Sequence, residues 1–290
     1  MCQLLSKAVF ELIRKTGYAY WINSLPKANI MQKKNRNFEK KTSWEPVANW
    51  YDQIVSKEGH YYHQEVIFPY LQNKILKNIK KDQSVIELAC GQGVLERKLK
   101  KEQNYTGLDI SPGLLKTAIS QKISETHNFQ EQDVTLSFNL NTTFDIGFII
   151  LALQNFKNPE GAIENLSRHI KKNGKVVLVI NHPYFRIPRQ SSWGVDESKK
   201  IQYRRIDRYM TPMEIPISMQ PSKGEKTDMT YSYHQPFSFF TKLFHDHGFF
   251  IEEIEELCSN KVSEGSTKKM EDRARNEFPL FMAIVLHKMK

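Results

Sequence analysis

Residues 84 to 93, SVIELACGQG, constrain this chain more than any other stretch. Val85, Ile86 and Leu88 form the apolar run of a strand buried on both faces, a setting that a parallel sheet covered by helices provides. Gly91 and Gly93 permit a tight turn, and a helix is predicted from Val94 to about Lys101. Strand, glycine turn and helix in that order expose backbone N–H groups to a nucleotide-like ligand, with Glu87 placed to meet its polar groups.

The alternation continues. Ile67, Leu71, Ile75, Leu76 and Ile79 mark a helix face that leads into the first strand. Tyr105 to Leu108 reads as a second strand ended by Asp109, with Ser111 and Pro112 as cap and first-turn residue of the next helix. A short third strand precedes Asp133, and FDIGFIILALQNF supplies a fourth. A helix with Ile163, Leu166 and Ile170, ending at Asn173 and Gly174, precedes the fifth strand at 175–180. FSFFTKLFHDHG then reads as a helix, and FFIEEIEEL and FPLFMAIVLHK as closing strands. This order implies an α/β fold, a mostly parallel sheet with helices on both faces.

Residues 182–235 interrupt the rhythm. They lack a long helical pattern and are rich in aromatics, arginines and prolines, as expected for a functional cover rather than a free loop. Two extended segments, about Tyr203 to Ser218 and Lys226 to His234, are expected to pair as a hairpin through PSKG.

The formal charge of +10 suggests nucleic acid until it is located. Residues 1–41 hold nine lysines and arginines against two glutamates, so most of the excess lies there. A nearly balanced body argues against a nucleic-acid partner. The expected organisation is therefore a basic N-terminal extension, 1–41, and one domain over 42–290. Leu5, Val9, Leu12 and Ile13 give the extension a short amphipathic helix, read as a loose leader, with membrane contact or an organelle address as the alternative. The three cysteines, Cys2, Cys90 and Cys258, show no disulfide or metal spacing, which fits a reducing cytoplasm. The longest apolar run, FIILAL at 148–153, is far short of the roughly 18 residues of a membrane span.

With Glu87, Asp109 and Asp133 at successive strand ends, the chain from about residue 44 to 290 resembles a class I S-adenosylmethionine-dependent methyltransferase, of the broad group that methylates small molecules and quinone rings. ELACGQG is similar to the family's acid-x-Gly-x-Gly-x-Gly turn, with Ala89 in place of the first glycine. The resemblance implies a three-layer Rossmann-like fold with strand order 3-2-1-4-5-7-6 and strand seven antiparallel. It also implies S-adenosylmethionine as cofactor, with Ala89, Cys90, Gly91 and Gly93 forming the turn that receives its methionine part and Glu87 beneath it. Asp109 would take the ribose hydroxyls, Ile110 the adenine face, Asp133 the exocyclic amine and the Val134 N–H a ring nitrogen. Leu151 to Asn155 would form the floor near the sulfonium. A nicotinamide-binding domain is the nearest rival, but its third glycine should stand where this chain has Glu96.

NHPYF at 181–185 resembles the motif of DNA amino-methyltransferases, but His182 mismatches it and it follows strand five instead of strand four. HDH at 245–247 reads as the end of a solvated helix, so no metal is expected. Arg204, Arg205 and Arg208 form either a solvated hairpin face or an anion clamp. The expected reaction is in-line methyl transfer to an oxygen, nitrogen or carbon of a small molecule. The alternatives are a cofactor-binding assembly or regulatory protein without turnover, and a nucleic-acid or protein methyltransferase. Candidate bases are His63, His182 and His234, each with a structural role as the alternative. Candidate acceptor-site residues are Tyr51, Tyr62, Asn155, Tyr184, Arg186, Arg189, Trp193 and Tyr203. Their aromatics suit a planar or apolar acceptor, and their arginines suit a carboxylate or phosphate on it.

Overall fold

In the computed structural model, which describes residues 44–48, 51, 55, 57–218 and 229–289, helices and strands alternate as far as residue 181. Helix α1 (Phe68–Lys74) precedes β1 (Val85–Leu88), β2 (Tyr105–Asp109), α2 (Pro112–Gln121) and β3 (His127–Glu131). Next come β4 (Phe144–Ile150), α3 (Pro159–His169) and the long β5 (Ile170–Asn181). The insertion contributes β6 (Ser191–Asp196), β7 (Ile201–Ile206), β8 (Met213–Ser218) and β9 (Met229–His234). The chain closes with α4 (Phe237–Asp246), β10 (Phe249–Leu257), α5 (Lys268–Glu277) and β11 (Phe281–Lys288).

Seven strands form one sheet in the order β3-β2-β1-β4-β5-β11-β10. The first five pair in parallel, and β11 runs antiparallel to both β5 and β10. Counted along this sheet, the order is 3-2-1-4-5-7-6 with an antiparallel seventh strand, as the family resemblance implied. Side-chain alternation explains the unbroken apolar runs. Ile86, Leu88, Val176, Leu178 and Ile284 face α3 and α4, where they meet Ile163, Leu166, Phe240 and Phe244. Val85, Ile146, Phe148, Val177 and Ala283 face the other side, against Phe68 and Leu71 of α1 and the turn residues Val94 and Leu95. At about 1.5–3 kcal/mol for each large aliphatic side chain removed from water, these two layers dominate the stability of the sheet.

Several local expectations need correction. The helix after the glycine turn is a single 3-10 turn, Glu96–Lys98. Its first residue is tied sideways: the buried Glu96 carboxylate accepts from the Ile123 N–H at 2.8 Å and meets His127 Nδ1 at 2.5 Å. The chain is already extended at Leu99. Helix α3 ends at His169, and Asn173 and Gly174 form an irregularity within β5 instead of a helix cap. A Cβ at Gly174 would stand 2.8 Å from the Asp145 carbonyl oxygen, so only glycine fits there.

The cover holds two hairpins. The expected pairing of β8 with β9 is present, from Met213 opposite His234 to Ser218 opposite Met229. The β6–β7 hairpin, from Ser191 opposite Ile206 to Asp196 opposite Ile201, was not foreseen. Nor was α5, which buries only Ala274 and is supported by ion pairs along its surface, Lys268–Asp272 and Arg275–Glu271. The basic N-terminal stretch with its expected helix, and the PSKG turn, lie outside the described residues. Among those described, no helix is long and apolar enough to cross a membrane, and no group of three His, Cys, Asp or Glu could hold a metal ion.

Candidate functional site

The turn after β1 places three residues at positive φ within five positions: Ala89 at 56°, Gly91 at 55° and Gly93 at 77°. For an L-residue such as Ala89 this costs on the order of 1–2 kcal/mol, and the surroundings must hold it there. The Cys90 N–H donates to the Leu108 carbonyl at 3.0 Å, drawing the turn onto β2. Asp109 then bridges two turns: one carboxylate oxygen accepts from the Gly91 N–H at 2.8 Å, the other from the Ser111 N–H at 2.9 Å. Burial pushes the Asp109 carboxyl up from its usual range, and these backbone donors oppose the shift.

The two glycines do different work. A Cβ at Gly93 would stand 3.0 Å from the Phe129 ring, so that glycine serves packing. A Cβ at Gly91 would meet nothing within 4 Å, which leaves open space above its backbone. Beneath the turn, the buried Glu87 carboxylate accepts from the Tyr105 hydroxyl at 2.5 Å. Burial raises its pKa to about 8, the nearby Asp109 charge adds to the rise and the Tyr105 bond opposes it. The buried Cys90 thiol is likewise pushed well up, chiefly by desolvation.

Two cavities meet above this turn. The first, about 270 Å³, lies between Ala89, Asp109 and Ile110 on one side and the loop containing Asp133 and Val134 on the other, with Ala152 and Asn155 closing it. That loop is tightly held. Asp133 Oδ1 accepts from the Thr135 N–H at 2.9 Å and from its hydroxyl at 2.7 Å. Asn165, fully buried on α3, donates to the carbonyls of Val134 at 2.9 Å and Leu136 at 2.8 Å. Gly161 brings α3 so near that a Cβ there would lie 2.1 Å from the Thr135 carbonyl oxygen.

The second cavity, about 290 Å³, shares Ala89, Asp109 and Asn155 with the first and reaches past Gly91 toward Leu151, Arg186 and Phe281. Leu151 is held at φ 55° by its N–H, which donates to Val179 O at 2.7 Å, and by its carbonyl, which accepts from Gln154 Nε2 at 2.6 Å. Tyr51 and Tyr62 also line this space; Tyr62 packs edge-on against Phe281 with ring centres 5.6 Å apart.

The three candidate bases lie elsewhere. His63 packs beside His60 and Phe68 and lines neither cavity; burial lowers its pKa to about 3, so it is neutral. His182 is fully buried, with Nε2 against Glu256 at 2.8 Å and Nδ1 accepting from the Tyr184 and Phe185 N–H groups at 3.3 Å. His234 Nε2 is engaged by the Tyr209 carbonyl at 2.7 Å. Burial depresses both of these imidazoles as well. Of the acceptor candidates, Tyr51, Tyr62, Asn155 and Arg186 are brought together in the second cavity, whereas Tyr184, Arg189, Trp193 and Tyr203 line neither space. Tyr184 stacks near Tyr209 with centroids 4.7 Å apart, Trp193 packs on Phe278 and Arg204, and Arg189 and Tyr203 are exposed. The Arg204 Nε and Nη2 atoms are consumed by Phe185 O and Ser191 Oγ.

Sequence reasoning missed His60, Asn181, Ile217 and Phe281 in the second cavity and Asn165 behind the first. Asn181 sits in NHPYF, already conspicuous, and His60 lies two residues before the candidate Tyr62. Phe281, at the start of the last strand, reads only as core.

Residues 86–178 match the family model described as a methyltransferase domain. A solved S-adenosylmethionine-dependent methyltransferase from Mesorhizobium loti is 20% identical and superposes with a TM-score of 0.58, covering 76% of this chain and 97% of its own. Another from Clostridium acetobutylicum is 18% identical with a TM-score of 0.53, covering 85% of this chain and 99% of its own. No curated protein sequence matches the chain. The sheet order is that of class I S-adenosylmethionine-dependent methyltransferases, and residues 86–178, with the glycine turn, are similar to a methyltransferase domain. These likenesses support an enzyme that uses S-adenosylmethionine as its cofactor.

Proposed function

We propose that the chain transfers the methyl group to a small-molecule acceptor held in the second cavity, with the cofactor's adenosyl part in the first and its methionine part over Gly91. The observation that carries this reading is the junction at Ala89, Asp109 and Asn155, where a first cavity of nucleoside size opens into a second. The residues present fit the cofactor. The space above Gly91 admits close approach to the backbone, and Asp109 offers carboxylate lone pairs beyond those used by Gly91 and Ser111. Ile110 and Val134 give apolar contacts for a planar ring, and the Val134 backbone is fixed by Asn165.

When bound, S-adenosylmethionine supplies an activated methyl on a sulfonium. The chain's part is to align an acceptor and exclude water. Leu151 and Asn155 define the edge of the junction, and the strained, doubly bonded Leu151 backbone keeps that edge in one place. Among the described residues lining the second cavity, no free carboxylate or acceptor imidazole stands beyond Asp109.

Calorimetric titration with S-adenosylmethionine tests the cofactor placement. Asp109→Ala should weaken binding about tenfold or more, through the loss of charge-assisted hydrogen bonds and of the bridge between turns. Unchanged binding would overturn the placement. Formation of S-adenosylhomocysteine with a small-molecule extract, and a gain of one methyl by mass spectrometry, tests the acceptor class.

A further inference from the structure

Arg186 differs from the other arginines of the cover. Arg204 spends its guanidinium on Phe185 O and Ser191 Oγ, and Arg205 pairs with Asp207. Arg186 lines the second cavity, is half-buried, and its Nη1 has no solvent contact and no hydrogen-bond partner. Among the described residues, none of its side-chain N–H groups meets an acceptor and no carboxylate pairs with it. Its contact is with the Phe281 ring, 4.9 Å from the guanidinium carbon, which supports one face and leaves the donor edges available. A charge withdrawn from water without a partner is costly, and a ligand that completes it recovers that cost.

The neighbouring groups share this polarity. His60 lines the same cavity, and its Nδ1 accepts from the N–H groups of Tyr62 at 3.1 Å and His63 at 3.4 Å. The ring proton of the neutral imidazole therefore sits on Nε2, which makes His60 a donor toward the cavity. Burial, and then the Arg186 charge, hold this imidazole below its usual range. The Tyr62 side chain adds a hydroxyl. Among the described residues, the one carboxylate lining the cavity, Asp109, lies at the shared junction with both oxygens engaged by backbone N–H groups.

We propose that the methyl acceptor is an oxyanion-bearing molecule, carrying a carboxylate or a phosphate, whose anionic group is held by Arg186 with the His60 Nε2–H beside it. The proposal rests on the assignment of the second cavity to the acceptor. Arg186 follows β5, two strands from β1 in the sheet, so it stands on the side of the cavity away from the Asp109 end. Phe281, on the far side of β5, gives the molecule an apolar wall beside its charge.

The test uses the full chain saturated with S-adenosylhomocysteine and titrated calorimetrically with benzoate, phenyl phosphate and the neutral benzamide. At least one anion should bind at least tenfold more tightly than benzamide, and the tighter of the two identifies the acceptor's group. Arg186→Met should remove that preference, Arg186→Lys should restore part of it, and the affinity for S-adenosylhomocysteine should stay within about twofold, because the substitution leaves the cofactor contacts in place. Equal binding of benzoate and benzamide, no binding of either anion, or an unchanged preference in Arg186→Met would overturn the proposal. A large loss of S-adenosylhomocysteine affinity in Arg186→Met would also overturn it, by placing the guanidinium on the cofactor's own carboxylate. If the wild type fails to bind S-adenosylhomocysteine, the cofactor placement fails instead, and the same three titrations on the unliganded chain still decide the anion site.

Discussion

The two cavities meet at Ala89, Asp109 and Asn155, yet they are built in different ways. The first is made of consecutive strand ends: the turn after β1, the end of β2, the loop after β3 and the segment after β4. Apart from Trp44, which lines both cavities, each wall lies close to the end of a strand whose position the parallel sheet already fixes. The second gathers His60 and Tyr62 from before β1, Arg186 from after β5, Ile217 from β8 and Phe281 from β11. One cavity follows from local order along the chain, and the other from long-range packing. A site of the first kind is constrained by the fold, while one of the second kind is free to vary with its insertions.

Three measurements would break or sharpen this division. The largest effect should come from Glu87, beneath the glycine turn. Its folded carboxyl keeps its proton up to about pH 8, whereas the ordinary value is 4.5, so the folded state binds more protons between those limits. Its contribution to stability is full below pH 4.5 and is lost as pH rises through about 8. Chemical denaturation across that window should show the wild type losing on the order of 3 kcal/mol more than Glu87→Gln. Parallel pH profiles for the two proteins would show that the buried carboxyl does not control this turn.

A smaller effect is expected at Asn165, which spans two carbonyls of the loop behind the first cavity. Asn165→Ala leaves the Val134 carbonyl buried without its donor and should cost about 2 kcal/mol in denaturant unfolding. The same variant should lower S-adenosylhomocysteine affinity about tenfold while leaving the anion preference of the second cavity intact. Loss of both together would mean that the two cavities are one cooperative unit. The smallest effect belongs to Trp193, on the β6–β7 hairpin and 42% exposed. Trp193→Ala should cost under about 1 kcal/mol, and cofactor affinity should not move. A weakened cofactor would tie the outer hairpin to the first cavity, against the packing seen here.

The sequence was informative where physics is local. The apolar runs of β1, β4 and β5, the capping Ser111 and the acid at the end of β2 read directly, because both-face burial and helix starts leave short-range signatures. Glu96 was read as an argument against a dinucleotide turn; its buried bond to His127 shows what the residue does instead. Helix α5 escaped because nearly all of it faces solvent, so no apolar stripe marks it. The β6–β7 hairpin escaped for a related reason, since its strands alternate between partly buried and exposed residues without a core face. His60 and Phe281 could not be placed because nothing in either neighbourhood says that they share a cavity. The aromatic and arginine wealth of the cover pointed to many candidate residues, and of those packing brings only Arg186 into the lining of the second cavity.

The position of Phe281 also bears on the order in which the protein can be made. It opens β11, a strand that comes late in the chain but lies between β5 and β10 in the sheet. While a ribosome is still extending the chain, the residues that line the first cavity, and Asn165 behind it, all precede β11, and the outer edge of β5 stays unpaired until β11 arrives. The first cavity is thus complete in sequence well before the second, whose wall at Phe281 is among the last parts of the chain to be synthesised.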